Sequence, residues 1–524
     1  MSDKHIIIGA GLGGLTVGIM LKKARPNDEV IIYDANKHAG GFCNAFEKVT
    51  THNDEKIKFT INIPLISGDF SQGAPIDSFL DYMGVKTLNW NIVDNFYKFY
   101  PVNGTPFSVS KNKLDNFYDL TDCPKEKKAI KKFFNTLERI YNDLMYKAHL
   151  PPTFFQALKL MITMPKTIFN MIFDRPYLET IEKMGIKSTI VKDILSCAEA
   201  FIGCNVDKVS GMAEMAMLQS FIQTNSVQPK ENNNFQDLAN NFAQRFSDLG
   251  GKLFLKSYVD SIIFDKKRAK GVIINGQKIE ADNIIICVAQ DVIKPLINSG
   301  KQINKINKLI KKIDKLEPPN SDYYCYYLIE KSTVEKYPKF LKYPYHIYKL
   351  PEGRDKTNWK IALWVPNKCY NDKYYILEAI MTETCQEKID WWIDLRKRDY
   401  QKYIEEKEKI GQQYLEIIQE VEPAFKENPP IKMVLSYTPA SYIQYGSKYP
   451  ISGIATTPEN TLLRRMTPKL LENLYLAGNA VFTGGLWGAV AGGWQGFVKF
   501  YKDIYKVEIG NRDVLFKPGL KNLP

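Results

Sequence analysis

The sequence has few histidines and no clustered cysteines. Its 524 residues include five histidines, and its eight cysteines form no C-x-x-C pair. They also show none of the cysteine–histidine spacings that zinc sites require. We therefore expect no metal centre, and the simplest interpretation of the cysteines is free thiols in a reducing compartment.

Apolar runs that could span a membrane are also lacking. Residues 477–498 carry no charge but contain seven glycines, each of which costs about 1 kcal/mol relative to alanine inside a helix. Residues 154–173 are interrupted by Lys159 and Pro165 and fall short of the ~20 apolar residues that a spanning helix needs. The polar residues 1–4 do not resemble a signal peptide. We expect a cytoplasmic protein.

The charge is unbalanced, with a formal net charge of +13. Such an excess is typical of proteins that bind nucleic acid or anionic membranes, but no nucleic-acid-binding motif accompanies it, so no nucleic-acid partner is expected. Heavy use of lysine throughout the chain explains part of the excess, and peripheral binding to the inner face of a membrane stays open. The length predicts two or three domains.

The strongest motif begins almost at residue 1. Residues 5–8 read as a strand buried on both faces, and Gly9, Gly11 and Gly14 then form G-x-G-x-x-G before a helical pattern. A second apolar strand, over residues 29–33, ends at Asp34. Glycines in this turn let the backbone approach a pyrophosphate, and an acidic residue about twenty positions on can accept a hydrogen bond from a ribose. The context indicates a dinucleotide site, for NAD or FAD.

The strand–helix alternation of a simple NAD domain does not continue. Gly40 and Gly41 form a loop, a strand is predicted over 56–68, and a helix over 76–83. The nucleotide-domain pattern returns at 234–289 with a helix, short strands and a hairpin that turns at Asn275-Gly276. It returns again at 473–496, where a strand is followed by a glycine-rich helix start. Backbone approach to a large planar cofactor explains those glycines.

The intervening segments are rich in lysine and aromatic residues. Residues 125–147 have helical periodicity, and two interpretations of residues 151–173 remain open, a buried helix pair or a segment lying in a lipid interface. Residues 323–328 form a strand that is aromatic on both faces, with partners predicted at 360–364 and 374–381 and a long charged helix at 396–421. Its rings belong either to a core or to the wall of an apolar cavity.

Taken in order, these pieces resemble the flavoproteins that include bacterial phytoene desaturases, carotenoid isomerases and retinol saturases, within the amine-oxidase-like FAD superfamily. The motifs that carry the resemblance are G-A-G-L-G-G-L at 9–15 with Asp34, the segment 234–289, Tyr437-Thr438-Pro439, and L-Y-L-A-G-N at 474–479. The resemblance implies an α/β fold, with a Rossmann-like FAD-binding domain and a discontinuous α+β substrate domain that has a mixed sheet and helices. The FAD-binding domain would comprise residues 1–85, 231–300 and 431–524, and the substrate domain 86–230 and 301–430.

The resemblance also assigns roles. The glycines at 9, 11 and 14 would hold the pyrophosphate, Asp34 the adenosine ribose and Val259 the adenine, and residues 488–490 would present a helix N-terminus to the flavin. The full set of candidate cofactor-binding residues is Gly9, Gly11, Gly13, Gly14, Asp34, Ala35, Gly40, Gly41, Phe42, Val259, Ala289, Gly478, Asn479, Gly488, Ala489 and Val490.

The sequence departs from the family at three places. The family usually has an acidic residue where Asn479 stands, a basic residue near Phe42, and Gly-Gly where Asn233-Asn234 stand. Because asparagine can still hydrogen-bond a ribityl hydroxyl, the expected cofactor remains FAD.

The expected reaction moves hydride between flavin and a polyene, isoprenoid or fatty acyl lipid, forming, saturating or isomerising a C=C bond. No catalytic acid or base is identifiable, and neither the direction of the reaction nor the oligomeric state is predicted. The alternatives are an amine oxidase or unsaturated fatty-acid isomerase on the same scaffold, or a flavin- and lipid-binding protein without catalysis.

Overall fold

The computed structural model describes residues 2–61, 66–93, 95–144, 154–198, 202–224, 226–230, 233–265, 268–297, 304–352, 359–449, 453–460, 469–482, 484–507 and 509. Parts of three predicted elements lie outside these residues. They are residues 62–65 of the strand predicted over 56–68, the end of the helix predicted over 125–147, and the start of the segment 151–173.

The strands within the described residues are, in chain order, β1 (Lys4–Ile8), β2 (Glu29–Tyr33), β3 (Phe46–His52), β4 (Glu55–Ile61), β5 (Ile66–Ser67), β6 (Trp90–Val93), β7 (Asn95–Tyr100), β8 (Phe107–Ser110), β9 (Ser226–Pro229), β10 (Lys252–Phe254), β11 (Val259–Asp265), β12 (Arg268–Ile274), β13 (Gln277–Glu280), β14 (Asn283–Ile286), β15 (Ser321–Glu330), β16 (His346–Lys349), β17 (Lys360–Trp364), β18 (Tyr374–Glu383), β19 (Lys432–Tyr437) and β20 (Leu474–Leu476).

The α-helices within the same residues are α1 (Leu12–Ala24), α2 (Pro75–Met83), α3 (Pro124–Asn142), α4 (Phe154–Thr163), α5 (Pro165–Ile172), α6 (Tyr177–Lys183), α7 (Thr189–Ser196), α8 (Gly211–Thr224), α9 (Phe235–Asp248), α10 (Gln290–Ile297), α11 (Asn304–Ile313), α12 (Lys331–Lys336), α13 (Lys339–Lys342), α14 (Gln386–Arg398), α15 (Tyr400–Val421), α16 (Pro423–Glu427) and α17 (Gly485–Tyr505).

The first of two large sheets is parallel and has five strands, in the order β10-β2-β1-β14-β20. Its central strand places Ile6 beside Ile31 on one side and Ile284 on the other. Helices α1, α9 and α17 cover one face, and the β11-β12-β13 sheet with α10 and α11 covers the other. Parallel strands buried on both faces read as continuous apolar runs, which is why this sheet was visible in the sequence.

The second large sheet is mixed and has seven strands, in the order β19-β15-β18-β17-β16-β7-β8. Its longest pairing joins β15 and β18 antiparallel over ten residues. Helices α14, α15 and α16 pack on one face, while α3, α6, α7 and α8 pack toward the other. The α/β fold with a Rossmann-like part and a mixed-sheet part is confirmed.

The predicted domain boundaries stay a prediction. The five-stranded sheet takes its strands from the three segments assigned to the FAD-binding domain. In contrast, β19 lies at the start of the segment 431–524 but pairs with β15 in the seven-stranded sheet.

Two predicted elements differ from the structure. The long charged helix expected at 396–421 is present as α15, but it begins at Tyr400, because Asp399 adopts φ −147° between α14 and α15 and its side chain accepts a hydrogen bond from the Lys402 backbone N–H at 3.0 Å. An aspartate that caps a new helix in this way interrupts the previous one. Strand β17 was expected beside β15, but it pairs with β16 and β18.

The hairpin expected at Asn275-Gly276 is present between β12 and β13, with both turn residues at positive φ. None of the helices within the described residues is both long and apolar enough to cross a membrane.

Candidate functional site

A cavity of about 1,210 Å³ runs from the carboxyl ends of β1 and β2 to the face of the seven-stranded sheet that bears Tyr324 and Tyr326. Glycine turns line one end, and aromatic and aliphatic side chains line most of the other. Ligands of open parallel sheets bind at the carboxyl ends of the strands, so the glycine-lined end lies where a nucleotide is expected.

The first glycine turn joins β1 to α1. Gly9 has φ +106°, and a Cβ atom on Gly14 would lie 2.0 Å from the Gly9 carbonyl oxygen, so both positions require glycine. A Cβ atom on Gly11 would meet nothing within 4 Å. Gly11 is also the N-cap of α1 and offers no side chain to its amides, which leaves that helix N-terminus open to an anion.

Asp34 follows β2 and holds this turn in place. Its Oδ2 accepts a hydrogen bond from the Ala10 backbone N–H at 2.6 Å, and its Oδ1 accepts one from the Asn36 N–H at 2.7 Å. Burial is the largest effect on this carboxyl group and raises its pKa above the ordinary value, although both backbone hydrogen bonds act in the opposite direction. Asp34 therefore fixes the glycine turn as well as lining the cavity.

The second glycine turn follows β20 and meets the first. A Cβ atom on Gly13 would lie 2.7 Å from the Cα of Gly478, and one on Gly493 would lie 2.6 Å from the Gly13 carbonyl oxygen. Helices α1 and α17 thus approach each other through glycines from opposite ends of the chain. Asn479 donates a hydrogen bond from Nδ2 to the Gly485 carbonyl at 3.1 Å, which ties this turn to the start of α17.

The loop at Gly40 and Gly41 is the third glycine-containing segment at this end of the cavity. Both have positive φ, and the Gly40 N–H donates to the Ala10 carbonyl at 2.8 Å. Nearby, Asn234 caps α9 by accepting a hydrogen bond from the Asp237 N–H at 3.2 Å. This cap gives a local physical reason for asparagine where the family usually has glycine.

Most of the predicted cofactor-binding residues line this one cavity: Gly9, Gly11, Gly13, Asp34, Ala35, Gly40, Gly41, Phe42, Val259, Ala289, Gly478, Asn479 and Ala489. The other three do not. Gly14 packs against Gly9, Gly488 is buried within α17, and Val490 is fully buried in the core under the five-stranded sheet. Because α17 begins at Gly485, its N-terminus lies three residues before the position expected for it.

Strand β15 divides its aromatic residues between two environments. Tyr324 and Tyr326 line the cavity, whereas Tyr323 and Tyr327 lie in the core beneath α14 and α15. Successive side chains of a strand point to opposite faces, so the core and cavity-wall interpretations each apply to one face.

Three acidic residues that line the cavity belong to no motif that the sequence shows. They are Asp69, Asp174 and Asp322. The Asp69 carboxylate accepts hydrogen bonds from the hydroxyls of Tyr141 and Ser220. Position 322 continues the alternation of Tyr324 and Tyr326, which is the one signal that could have indicated it.

Burial changes the acidity of two carboxyl groups on this face of the sheet. It raises the pKa of Asp322 to about 7, against a hydrogen bond from Thr382 and the charge of Lys360. It raises the pKa of Glu378, next to the Tyr326 hydroxyl, to about 8. Of the two, Asp322 lines the cavity, and a strongly perturbed acid in a cavity is a candidate for function.

Asp3, His5 and Asp28 form the one group in the described residues whose ligand atoms lie close enough to hold a metal ion. The group lies at the opposite, amino end of the parallel strands, where His5 and Asp28 contact each other at 3.2 Å and both contact the Tyr505 hydroxyl. These mutual hydrogen bonds explain the group as structural.

The glycine-lined end of the cavity fits a dinucleotide such as FAD. Three glycine-containing loops meet there, the α1 amides have no side-chain cap, and open space lies over Gly11. A helix N-terminus without a side-chain cap and with open space beside it suits a pyrophosphate.

Comparisons with known proteins agree with this geometry. A family profile described as an NAD(P)-binding Rossmann-like domain matches residues 7–69. No curated protein matches the chain in sequence.

Three solved structures match over nearly all of both chains. Putrescine oxidase bound to putrescine has a TM-score of 0.60 at 12% identity, covering 95% of this chain and 99% of that one. Cyclohexylamine oxidase from Brevibacterium oxydans has a TM-score of 0.59 at 12% identity, covering 96% of this chain and 100% of that one. A fatty acid isomerase from P. acnes, which produces CLA, has 0.60 at 13%, covering 96% and 99%. At this level of identity the likeness concerns the fold, and the chain therefore shares the fold of these solved structures.

Proposed function

We propose that the protein is an FAD-dependent oxidoreductase whose substrate occupies the inner part of the cavity. The observation that carries this proposal is the continuity of one cavity, from the meeting glycine turns to the face of the mixed sheet. When bound, the flavin would accept hydride from, or return it to, a substrate carbon.

The chain's own residues would bind and orient the cofactor. The α1 amides and the loops at Gly11, Gly41 and Gly478 would hold the pyrophosphate and the adjoining ribityl chain. Asp34 would accept a hydrogen bond from the adenosine ribose on a remaining lone pair. The open N-terminus of α17 at Gly485 would stabilise negative charge on the flavin ring, because a helix N-terminus carries a partial positive charge.

A long apolar substrate, such as a polyene or other isoprenoid lipid, is our first candidate. The inner part of the cavity is lined mainly by apolar side chains, among them Phe70, Leu144, Met171, Ile202, Met212, Met217 and Phe221. A long hydrocarbon chain gains affinity in such a lining from the burial of its apolar surface.

Amine oxidation is the second candidate. Tyr437 and Tyr442 stack with centroids 5.9 Å apart, and Trp487 also lines this region of the cavity. Aromatic faces attract cations. The acidic residues of the cavity favour an amine as well.

The decisive experiment is to reconstitute the purified protein with FAD, remove free cofactor and record the visible spectrum under anaerobic conditions. We expect a yellow protein whose flavin absorption is lost on adding a substrate. Loss of the flavin absorption on adding a polyene in liposomes supports the first candidate. Loss of this absorption on adding an alkylamine, followed by peroxide release in air, supports the second. A protein that takes up no FAD would overturn the proposal.

We also propose that the substrate reaches the cavity from a membrane surface. Helices α4 and α5, with Phe173 directly after α5, carry six exposed large apolar side chains, with Ile162 75% and Phe169 60% exposed: Leu158, Met161, Ile162, Phe169, Ile172 and Phe173. A helix pair buried in the substrate domain would not leave these side chains in water. Met171 of α5 lines the cavity, so this apolar surface adjoins it.

Flotation with vesicles containing anionic lipid tests this surface. We expect the wild type to float with the vesicles and a Phe169→Glu/Ile172→Glu variant to stay in solution, because each buried side chain contributes about 1–2 kcal/mol to insertion. Trp391→Glu is the matched control, since Trp391 is 44% exposed on α14, which packs on the opposite face of the seven-stranded sheet from the cluster that Met171 contacts. Wild-type protein that remains in solution at low salt would refute the idea.

A further inference from the structure

The cavity contains a group of polar side chains that includes a buried hydroxyl without a partner. Asp322, Tyr324 and Tyr442 line the cavity; Asp322 is 5% and Tyr442 6% exposed, and Tyr324 is partly buried. Tyr442 comes from the 3-10 helix Pro439–Tyr445, and its ring lies 6.5 Å from that of Tyr324 on β15. We call these three residues the polar subsite.

The Tyr442 hydroxyl has no hydrogen-bond partner among the described residues. Leaving such a group buried and unpaired costs about 1–3 kcal/mol, so an orphaned hydroxyl at a cavity wall indicates a place for a ligand atom. The carboxyl group of Asp322 is close enough to influence this hydroxyl electrostatically. Asp322 also lies two residues before Tyr324, on the same face of β15, so an acceptor and a hydroxyl that can donate or accept line the same cavity.

The charges around the polar subsite indicate which chemistry it takes. The Asp322 side chain accepts a hydrogen bond from Thr382, its cross-strand neighbour on β18. Lys360 lies within electrostatic reach, and its ammonium donates to the carbonyls of Ser196 and Cys197 at 3.3 and 3.4 Å. Lys360 also lines the cavity, together with the acidic residues Asp69 and Asp174, so the carboxyl groups named here outnumber this one ammonium.

We infer that the polar subsite binds a hydrogen-bond-donating end group, a hydroxyl or a protonated amine, carried by an otherwise apolar substrate. This inference rests on the proposed function and narrows its substrate class. The end group donates to the Asp322 carboxylate and meets the Tyr442 hydroxyl. A carboxylate end group would be repelled by Asp322, and an unsubstituted end would leave the Tyr442 hydroxyl unpaired.

The test compares octylamine, octanol and octanoate by isothermal titration at pH 8 with the FAD-reconstituted protein. We expect the amine or the alcohol to bind at least about tenfold more tightly than the carboxylate, as charge-assisted hydrogen bonds to buried groups suggest. Tightest binding of octanoate would overturn the inference.

Two nearly isosteric variants separate the two end groups. Asp322→Asn removes the negative charge but keeps an acceptor. If the subsite binds a cation, the affinity for octylamine should fall about tenfold and the affinity for octanol should change little. Tyr442→Phe removes the hydroxyl and should lower the affinity for octanol if the subsite binds an alcohol. Tyr327→Phe is the control, since the Tyr327 hydroxyl donates to Gly411 on the opposite face of β15.

If neither Asp322→Asn nor Tyr442→Phe changes the affinity for either probe, the subsite does not exist as inferred. This failure is distinguishable from failure of the proposed function, which would appear as absence of FAD uptake, because calorimetry detects probe binding without any flavin signal.

Discussion

A Gly14→Ala variant is expected to lose FAD binding and a large part of its stability. The new Cβ atom would lie 2.0 Å from the Gly9 carbonyl oxygen and 3.3 Å from the Cys287 side chain. Both Gly9 and Gly14 belong to the turn that joins the central strand to α1, so the clash displaces backbone. We expect a loss on the order of 3 kcal/mol in the free energy of unfolding, measured by chemical denaturation.

Gly11→Ala is the matched control for this prediction. The same methyl group at Gly11 meets no protein atom within 4 Å, and Gly11 has an ordinary negative φ of −67°. The apo protein should therefore keep its stability to within about 0.5 kcal/mol. Its affinity for FAD should fall by on the order of 100-fold, because the methyl group occupies the space over which a pyrophosphate would lie.

The pair of variants separates a folding role from a binding role. If Gly11→Ala binds FAD as tightly as the wild type, the open space over Gly11 is not where the cofactor lies. If Gly14→Ala is as stable as the wild type, the close contact between the strand and the helix does not constrain the turn.

A Glu378→Gln variant is expected to be more stable than the wild type at alkaline pH and to differ little from it near pH 5. Burial raises the pKa of Glu378 to about 8 from an ordinary 4.5. The unfolded chain therefore releases this proton at a lower pH than the folded chain does. Since the folded state binds more protons between these two values, the wild type loses stability as the pH rises through that window.

Glutamine removes the titration while keeping an acceptor for the Tyr326 hydroxyl, which lies 3.3 Å from Glu378. The stability difference between variant and wild type should grow by on the order of 3 kcal/mol from pH 5 to pH 8. Denaturation curves over this range measure it, with Glu330→Gln, an exposed position at the end of β15, as the control. Parallel pH profiles for all three proteins would show that Glu378 ionises normally.

The sequence by itself determined the parts of the fold that depend on neighbouring residues. The parallel strands were visible as apolar runs, the turns as glycine spacings, and the hairpin as Asn275-Gly276. Asp34 was identified from its place after β2, although its hydrogen bond to Ala10 was not expected. Backbone conformation and burial on both faces of a strand leave a local record in residue type.

Only the tertiary structure decided which residues far apart in the chain contact each other. It brought Gly13 against Gly478, split the tyrosines of β15 between core and cavity, and left the apolar side chains of α4 and α5 in water. It also placed Tyr442 beside Tyr324, and so created the polar subsite. These arrangements depend on contacts between residues far apart in the chain. Residue type records whether a side chain is suited to burial, but not which neighbour it meets.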